Sequence, residues 1–307
     1  MYTIDPTTDA HEIERVPAAD GELVLRRVGE HYEIISNGCF LMDTRAGASE
    51  RLLVRTALDA LEGFDAHDAR ATPEAPEAPE APEAPEAPDA PDAPDAPDAP
   101  DAPETSGVPG GLRILVGGLG VGFTLREALT DPRVGQVTVV EREPAVVRWG
   151  RGPLAPFSGH ALADSRVRVI TSDLVAWVRS PLTAPADAVS ERADHEAAAR
   201  SGEGSGEGSG ERPHVSREGS GERFHALCLD IDNGPDWTVT DGNASLYDDA
   251  GLAALRARML PGGVLTVWSA TASPAFADRL RARFAQVTVH QVPVPRGEPD
   301  VVFVARG

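Results

Sequence analysis

The sequence of 307 residues predicts an α/β fold, in which a doubly wound, mostly parallel sheet is joined to a small N-terminal β-strand region. From Leu112 onward, short apolar runs alternate with helical patterns, as in parallel strands buried on both faces. Residues 22–44 instead show short alternating stretches typical of antiparallel strands. Two low-complexity segments interrupt these patterns. The predicted domains are therefore an N-terminal region at 1–71, a linker at 72–109 and a main domain at 110–307.

The N-terminal region predicts three short strands and one helix. The strands lie within Leu23–Val28, Tyr32–Ile35 and Cys39–Met42. Asn37-Gly38 is the dipeptide typical of a tight hairpin turn between two of them. Ala48–Phe64 has apolar residues near helical spacing, with Gly63 at its end. This region is too small to fold well alone, so we expect it to pack on the main domain.

Both low-complexity segments are predicted to be disordered. Pro73–Glu104 repeats Pro-Glu-Ala and then Pro-Asp-Ala, and a proline at every third residue excludes helix and sheet. Its regular carboxylates repel one another, which favours a solvated spacer over an arm that docks a partner. Residues 184–222 are rich in Gly, Ser and Glu and bury too little apolar surface to order themselves. We predict that they form a loop inserted into the main domain.

The main domain predicts alternating strands and helices. The strands are Arg113–Val116, Val137–Val140, Val167–Ile170, Ala226–Leu229 and Val264–Trp268, followed by an antiparallel edge pair at Val287–Val292 and Val301–Val304. The helices are Thr124–Leu129, Pro144–Gly150, Leu174–Val178, Leu252–Leu260 and Pro274–Phe284. The helix at Leu252–Leu260 is expected to stop at Pro261-Gly262-Gly263.

Composition excludes several classes of function. The chain has 28 Lys+Arg against 49 Asp+Glu, a net charge of -21, and every cation is an arginine, which rules out lysine-dependent catalysis. The negative charge argues against nucleic acid and anionic membranes as partners. Two distant cysteines and no closely spaced histidine pair predict neither a disulfide framework nor a metal site. With no secretory leader or long apolar segment in this sequence, we expect a cytoplasmic protein.

A glycine-rich turn is the most specific pattern in the chain. Gly118, Gly120 and Gly122 lie between the first strand and first helix of the main domain. There they allow a tight turn and a close approach to a ligand at a helix N-terminus. Glu141 ends the next strand, where a carboxylate can bind both hydroxyls of an adenosine ribose. The alternative is that Glu141 only caps the helix at Pro144.

Further carboxylates follow the third and fourth strands of the main domain. Asp173 is placed to accept a hydrogen bond from an adenine amino group or to cap the helix that follows it, and both roles are compatible. Asp230 and Asp232 end the fourth strand and are candidates for a general base or a cation binder. The alternative for this pair is a role in the turn alone.

Two motifs resemble the spermidine synthase family, the polyamine aminopropyltransferases. They are Gly118-Leu-Gly-Val-Gly-Phe-Thr-Leu-Arg-Glu127 and Val139-Val-Glu-Arg-Glu143. The resemblance implies a Rossmann-like core shared with class I S-adenosylmethionine-dependent methyltransferases, and decarboxylated S-adenosylmethionine or S-adenosylmethionine as co-substrate without a metal. It implies that Glu141 binds the ribose and that Asp173 contacts the adenine. It also implies that Asp230 removes a proton from the attacking amine, which Asp232 helps to hold. It also implies a small amine such as putrescine as acceptor, and a possible homodimer.

Two alternatives to aminopropyl transfer remain open. Val121 replaces an aspartate of the family's glycine motif, and Leu41, Ala46-Gly47 and Glu50-Arg51-Leu52 stand where the family has its polyamine-site residues. These differences favour an S-adenosylmethionine-dependent methyltransferase of a small molecule as the second hypothesis. The third is a nucleoside-binding or scaffold protein without catalysis, in which the acidic repeat contributes to interactions.

Overall fold

The computed structural model describes residues 10–45, 47–62, 111–182, 222–231, 233–238, 240–294 and 297–307. The whole Pro-rich linker at 72–109 and all but the last residue of the insert predicted at 184–222 lie outside these ranges. Within the described residues, no helix has the length and apolar character needed to cross a membrane.

The N-terminal region forms a four-stranded antiparallel sheet followed by a helix. Its elements are β1 (Ala10–Ala18), β2 (Gly21–Val28), β3 (His31–Ser36), β4 (Cys39–Asp43) and α1 (Ala48–Ala60), with the strands in sequential order. The predicted turn forms, with φ of 49° at Asn37 and 78° at Gly38. The sequence did not predict β1, because most of its side chains are exposed and leave no apolar alternation.

The main domain forms a seven-stranded sheet. Its strands are β5 (Leu112–Gly117), β6 (Val134–Glu141), β7 (Val167–Thr171), β8 (Phe224–Leu229), β9 (Met259–Ser269), β10 (Gln286–Val292) and β11 (Asp300–Arg306). They lie in the order β10-β11-β9-β8-β5-β6-β7. β5 to β9 pair in parallel, and β11 is antiparallel to both of its neighbours. The predicted doubly wound sheet and its terminal antiparallel pair are confirmed.

Five helices connect these strands within the described ranges. They are α2 (Phe123–Thr130), α3 (Pro144–Arg151), α4 (Leu174–Arg179), α5 (Asp249–Ala257) and α6 (Pro274–Arg281), with 3-10 helices at Ala161–Ala163 and Asp241–Leu246. The predicted helix Leu252–Leu260 is wrong at its end. The chain leaves the helix after Ala257 because Met259 is buried and pairs with Phe224 across the sheet, so Pro261 and the glycines after it lie inside β9.

Helix α1 covers one face of the main sheet at its centre. It packs against α2, β8, β9 and β11. Its fully buried Leu53, Val54 and Ala57 share one hydrophobic core with Ile114 and Cys228 of the sheet. Because the core is continuous, the N-terminal region and the main domain stabilise each other. The same packing brings the first turn of α1 to the carboxyl edge of the sheet.

The strand order creates a crevice between β5 and β8. From β5 the chain crosses first to β6 and β7 on one side, and then to β8 and β9 on the other. Connections that leave in opposite directions separate at the carboxyl ends of the two central strands, which is where open α/β sheets bind ligands. The ends of these strands are Gly117 and Leu229, so the glycine turn and Asp230 meet at this point.

Candidate functional site

The glycine turn is in direct contact with the end of β8. Gly118, Gly120 and Gly122 all have positive φ, at 88°, 52° and 93°. The backbone N–H of Asp230 donates to the Gly117 carbonyl at 2.8 Å. A Cβ on Gly118 would lie only 2.3 Å from the Asp230 carbonyl oxygen. The turn therefore needs glycine at 118 both for its conformation and for the closeness of Asp230.

Gly118→Ala is expected to lower the free energy of unfolding by about 1–3 kcal/mol, because it adds backbone strain and a clash with a carbonyl oxygen. Urea denaturation measures the change. Gly242→Ala is the matched control, since a Cβ there has no atom within 4 Å. Equal effects of the two substitutions would contradict the contact between the glycine turn and Asp230.

Glu141 ties the glycine turn to the end of β6. Its carboxylate is buried and accepts the Leu119 N–H at Oε2 and the Glu143 N–H at Oε1, both at 2.8 Å. Burial raises the pKa of Glu141, partly offset by these backbone donors. The side chain thus holds the turn in shape beside the start of α3. Each carboxylate oxygen has a further lone pair, so the predicted ribose contact is compatible with these bonds.

The N-terminal sheet forms a wall of this site. A Cβ on Gly120 would lie 2.5 Å from the Met42 methyl group of β4. The turn between β1 and β2 reaches the residues after Glu141, since the Ala19 N–H donates to Glu143 at 3.2 Å and Arg142 pairs with Asp20 at 2.6 Å. The nucleoside site predicted from the main domain is therefore bordered by the N-terminal sheet.

Asp173 caps α4, as one of its two sequence interpretations required. Its Oδ1 accepts the Ala176 N–H at 2.8 Å. Asp173 follows β7 at the carboxyl edge of the sheet, and β7 is separated by β6 from β5, which precedes the glycine turn. Its contact with adenine stays a prediction.

Asp230 directly follows β8 at the crevice, and its carboxyl is desolvated. Thr124 of α2 is fully buried, and its hydroxyl donates a hydrogen bond to Asp230 Oδ2 at 2.6 Å. Burial, together with the negative charges of Glu50 and Asp300, raises the pKa of Asp230 to about 7, and the Thr124 bond only partly opposes this. A carboxyl with a pKa near neutrality can take a proton from an amine and release it again.

The sequence analysis found Glu50 at a position of the family's polyamine site, but it named neither Glu50 nor Asp300 as a candidate site residue. Ser49 links them, because its hydroxyl lies 2.8 Å from Asp300 Oδ2 and 3.0 Å from Glu50 Oε2. Burial raises the pKa of both carboxyls. We refer to Glu50, Asp230 and Asp300 as the carboxylate cluster. The one local indication was that Asp300 directly precedes an apolar strand.

The remaining predicted site residue, Asp232, lies outside the described residues. Within the described ranges, no group of three or more His, Cys, Asp or Glu side chains has the geometry to hold a metal ion.

Comparisons with curated proteins match one part of the chain. No protein-family model matches it. Over 77 residues it is 37% identical to the polyamine aminopropyltransferase of Mycobacterium tuberculosis, which is 25% of this chain and 15% of that protein. Over 79 residues it is 37% identical to polyamine aminopropyltransferase 2 of Streptomyces coelicolor, covering 25% and 14%. The chain thus spans only a small part of the length of these relatives.

Comparisons with solved structures cover nearly all of the chain. A spermidine synthase in complex with the transition state analogue AdoDATO superimposes with a TM-score of 0.58 at 12% identity, over 96% of this chain and 73% of that one. Spermidine synthase from Thermotoga maritima gives 0.56 at 11% identity, over 96% and 72%. The resemblance to the spermidine synthase family is confirmed, in sequence over the matched segment and in fold over most of the chain.

Proposed function

We propose that this protein transfers an aminopropyl group from decarboxylated S-adenosylmethionine to an amine such as putrescine, with Asp230 as the general base. The observation that carries this proposal is the position of Asp230. It lies where the glycine turn meets the crevice, it is bonded to Thr124, and its pKa is raised to about 7. The sequence likeness to polyamine aminopropyltransferases supports the same reaction.

In this reaction, Asp230 first takes a proton from the ammonium form of the acceptor. The freed nitrogen lone pair attacks the carbon of the aminopropyl group that is bonded to the sulfonium. A C–N bond forms as the C–S bond breaks, and the electron pair of that bond goes to sulfur, which leaves neutral methylthioadenosine. The protein contributes the alignment of donor and acceptor and the removal of the proton.

The charge of the site suits these substrates. Donor and acceptor are both cations, and within the described part of the chain no ion pair of 4.0 Å or less involves the carboxylate cluster. Carboxylates in a partly buried crevice attract a cation more strongly than carboxylates in bulk water. Glu141 and Asp173 would hold the nucleoside on the other side of the glycine turn, with the ribose at Glu141 and the adenine at Asp173.

Calorimetric titration with decarboxylated S-adenosylmethionine, methylthioadenosine and S-adenosylmethionine tests this function. We expect the first two to bind more tightly than the third, and Glu141→Gln to weaken their binding by about 10-fold to 100-fold through loss of charge-assisted hydrogen bonds. Glutamine removes the cost of a buried charge but keeps only one of the two acceptor oxygens, so one backbone N–H of Leu119 or Glu143 loses its partner. Thermal unfolding of the variant therefore accompanies the titration and checks that the fold is retained.

Glu127→Gln is the control for this titration, because Glu127 lies on α2 in an ion pair with the exposed Arg55. Preference for S-adenosylmethionine would favour methyl transfer. Absence of binding by all three nucleosides would contradict both enzyme hypotheses, and binding without turnover on any amine would favour the non-catalytic one.

A further inference from the structure

The carboxylate cluster has a cationic neighbour with which it forms no ion pair. Arg51 follows Glu50 in the first turn of α1, and its guanidinium carbon lies 5.3 Å from the centre of the Phe123 ring. Within the described ranges, no ion pair of 4.0 Å or less involves Arg51, Glu50, Asp230 or Asp300. Unpaired charges of both signs therefore lie side by side.

The Arg51 guanidinium lies between Gly47 and the Phe123 ring. Gly47 has a φ of 138°, and a Cβ there would lie 2.7 Å from the Phe123 ring and 2.8 Å from a guanidinium nitrogen of Arg51. The missing side chain at Gly47 leaves a slot in which the guanidinium lies against the ring. Helix stability does not explain this arginine, because a cation in the first turn opposes the helix dipole.

The slot and the carboxylate cluster flank the same short segment of chain. Phe123 begins α2 directly after the glycine turn, and the next residue, Thr124, donates to Asp230. The charge of Arg51 acts on Glu50 of the carboxylate cluster and lowers its pKa, opposite to the effect of burial. A guanidinium binds a carboxylate through two parallel N–H donors, whereas an ammonium group suits the carboxylate cluster.

We propose that Arg51 binds the carboxylate of a substrate whose ammonium group enters the carboxylate cluster, so that the site takes an α-amino acid in preference to a plain amine. This inference rests on the proposed function and defines its substrate class. The amino acid is either the acceptor itself or the tail of a donor that keeps its carboxylate. Both alternatives, acceptor and donor tail, present an ammonium group and a carboxylate, and the experiment below distinguishes them.

The test compares substrates that differ only by a carboxylate. Ornithine is paired with putrescine, lysine with cadaverine, and S-adenosylmethionine with its decarboxylated form. Dissociation constants are measured by calorimetry on the full chain, with methylthioadenosine present for the acceptor pairs. We expect the carboxylated member of at least one pair to bind about 10-fold more tightly, which is the contribution of one charge-assisted pair.

Arg51→Gln is expected to remove this preference by weakening the carboxylated member alone, and Arg51→Lys to restore part of it. Arg55→Gln is the matched control, because Arg55 lies one turn later on α1, is exposed and pairs with Glu127. It should leave all constants within about twofold, as a surface ion pair contributes little. Thermal unfolding of each variant checks that the fold is retained.

A preference in the acceptor pairs would identify an amino-acid acceptor and would leave aminopropyl transfer intact. A preference for S-adenosylmethionine in the nucleoside pair would identify a carboxylated donor and would contradict transfer from the decarboxylated form. Equal binding within all three pairs, or equal losses for both members in Arg51→Gln, would overturn the inference while leaving aminopropyl transfer intact. Failure of every nucleoside to bind would instead contradict the proposed function, and the acceptor pairs would then be compared without methylthioadenosine.

Discussion

Asp230→Asn is expected to lower the turnover of aminopropyl transfer by about 10²-fold to 10⁴-fold, the usual contribution of a general base. Asparagine keeps the shape of the side chain but cannot take the proton of the ammonium group. Nucleoside binding should be retained, because Glu141 and the glycine turn are unchanged. Methylthioadenosine release measures the rate, and calorimetry measures the binding.

The same residue sets the expected pH dependence. The pKa of Asp230 is raised to about 7, so kcat/KM should increase with pH up to that value and then level off. The contribution of Asp230 to the stability of the fold changes with pH in the opposite direction, decreasing as pH rises. The folded protein holds this proton more tightly than the unfolded chain, so Asp230 lowers the free energy of unfolding progressively as pH rises from about 4 to about 7.

Asp230→Asn should therefore raise the melting temperature at pH 8 by at least about 2 °C, with little change at pH 4. Asp278→Asn is the control, since Asp278 is exposed and pairs with Arg281. Normal turnover of Asp230→Asn would show that Asp230 is not the general base. A lower melting temperature at pH 8 would show that its carboxyl is not destabilised by desolvation.

Arg258→Met is expected to have the largest effect on stability, a loss of about 3–5 kcal/mol in the free energy of unfolding. Arg258 is almost completely buried and stacks on Trp177 at 4.5 Å. It donates to the carbonyls of Trp177 and Ser180 at 2.8 Å and of Val178 at 3.2 Å. These are carbonyl groups at the end of α4, and methionine would leave them buried without these donors.

Urea denaturation measures this loss. Arg256→Met is the control two residues earlier. Arg256 is exposed, donates to the Arg283 carbonyl at 2.7 Å, and has its guanidinium over Phe284. We expect it to cost less than about 1 kcal/mol. Comparable losses in the two variants would mean that the α4 terminus does not depend on Arg258.

The main sheet could be predicted because its strands are buried on both faces. Burial of that kind produces continuous apolar runs such as Ile114–Val116 and Ala226–Leu229, which stand out locally. β1 could not be predicted, since an exposed strand has no such run. The end of α5 could not be predicted either, because the pairing of Met259 with Phe224 is a contact between distant residues.

The residues of the candidate site also fall into those that the sequence could predict and those that it could not. The glycine turn, Glu141, Asp173 and Asp230 each follow a strand, so the order of elements alone places them at one edge. Glu50 and Asp300 belong to a helix and an antiparallel strand. The family resemblance concerns the position of Glu50, and an apolar run follows Asp300, but neither observation indicates that these carboxylates meet Asp230. They join Asp230 only because α1 packs beside β8 and β11.

The contacts between the N-terminal sheet and the main domain also bear on folding during synthesis. Met42 meets Gly120, and Glu14 accepts hydrogen bonds from Arg148 and Trp149 at 2.6 Å. About 100 residues must be translated between these partners, which takes on the order of 5–20 s at ordinary elongation rates. For that time the apolar face of the N-terminal sheet has no partner on the nascent chain, and it is then exposed to chaperones or to neighbouring chains.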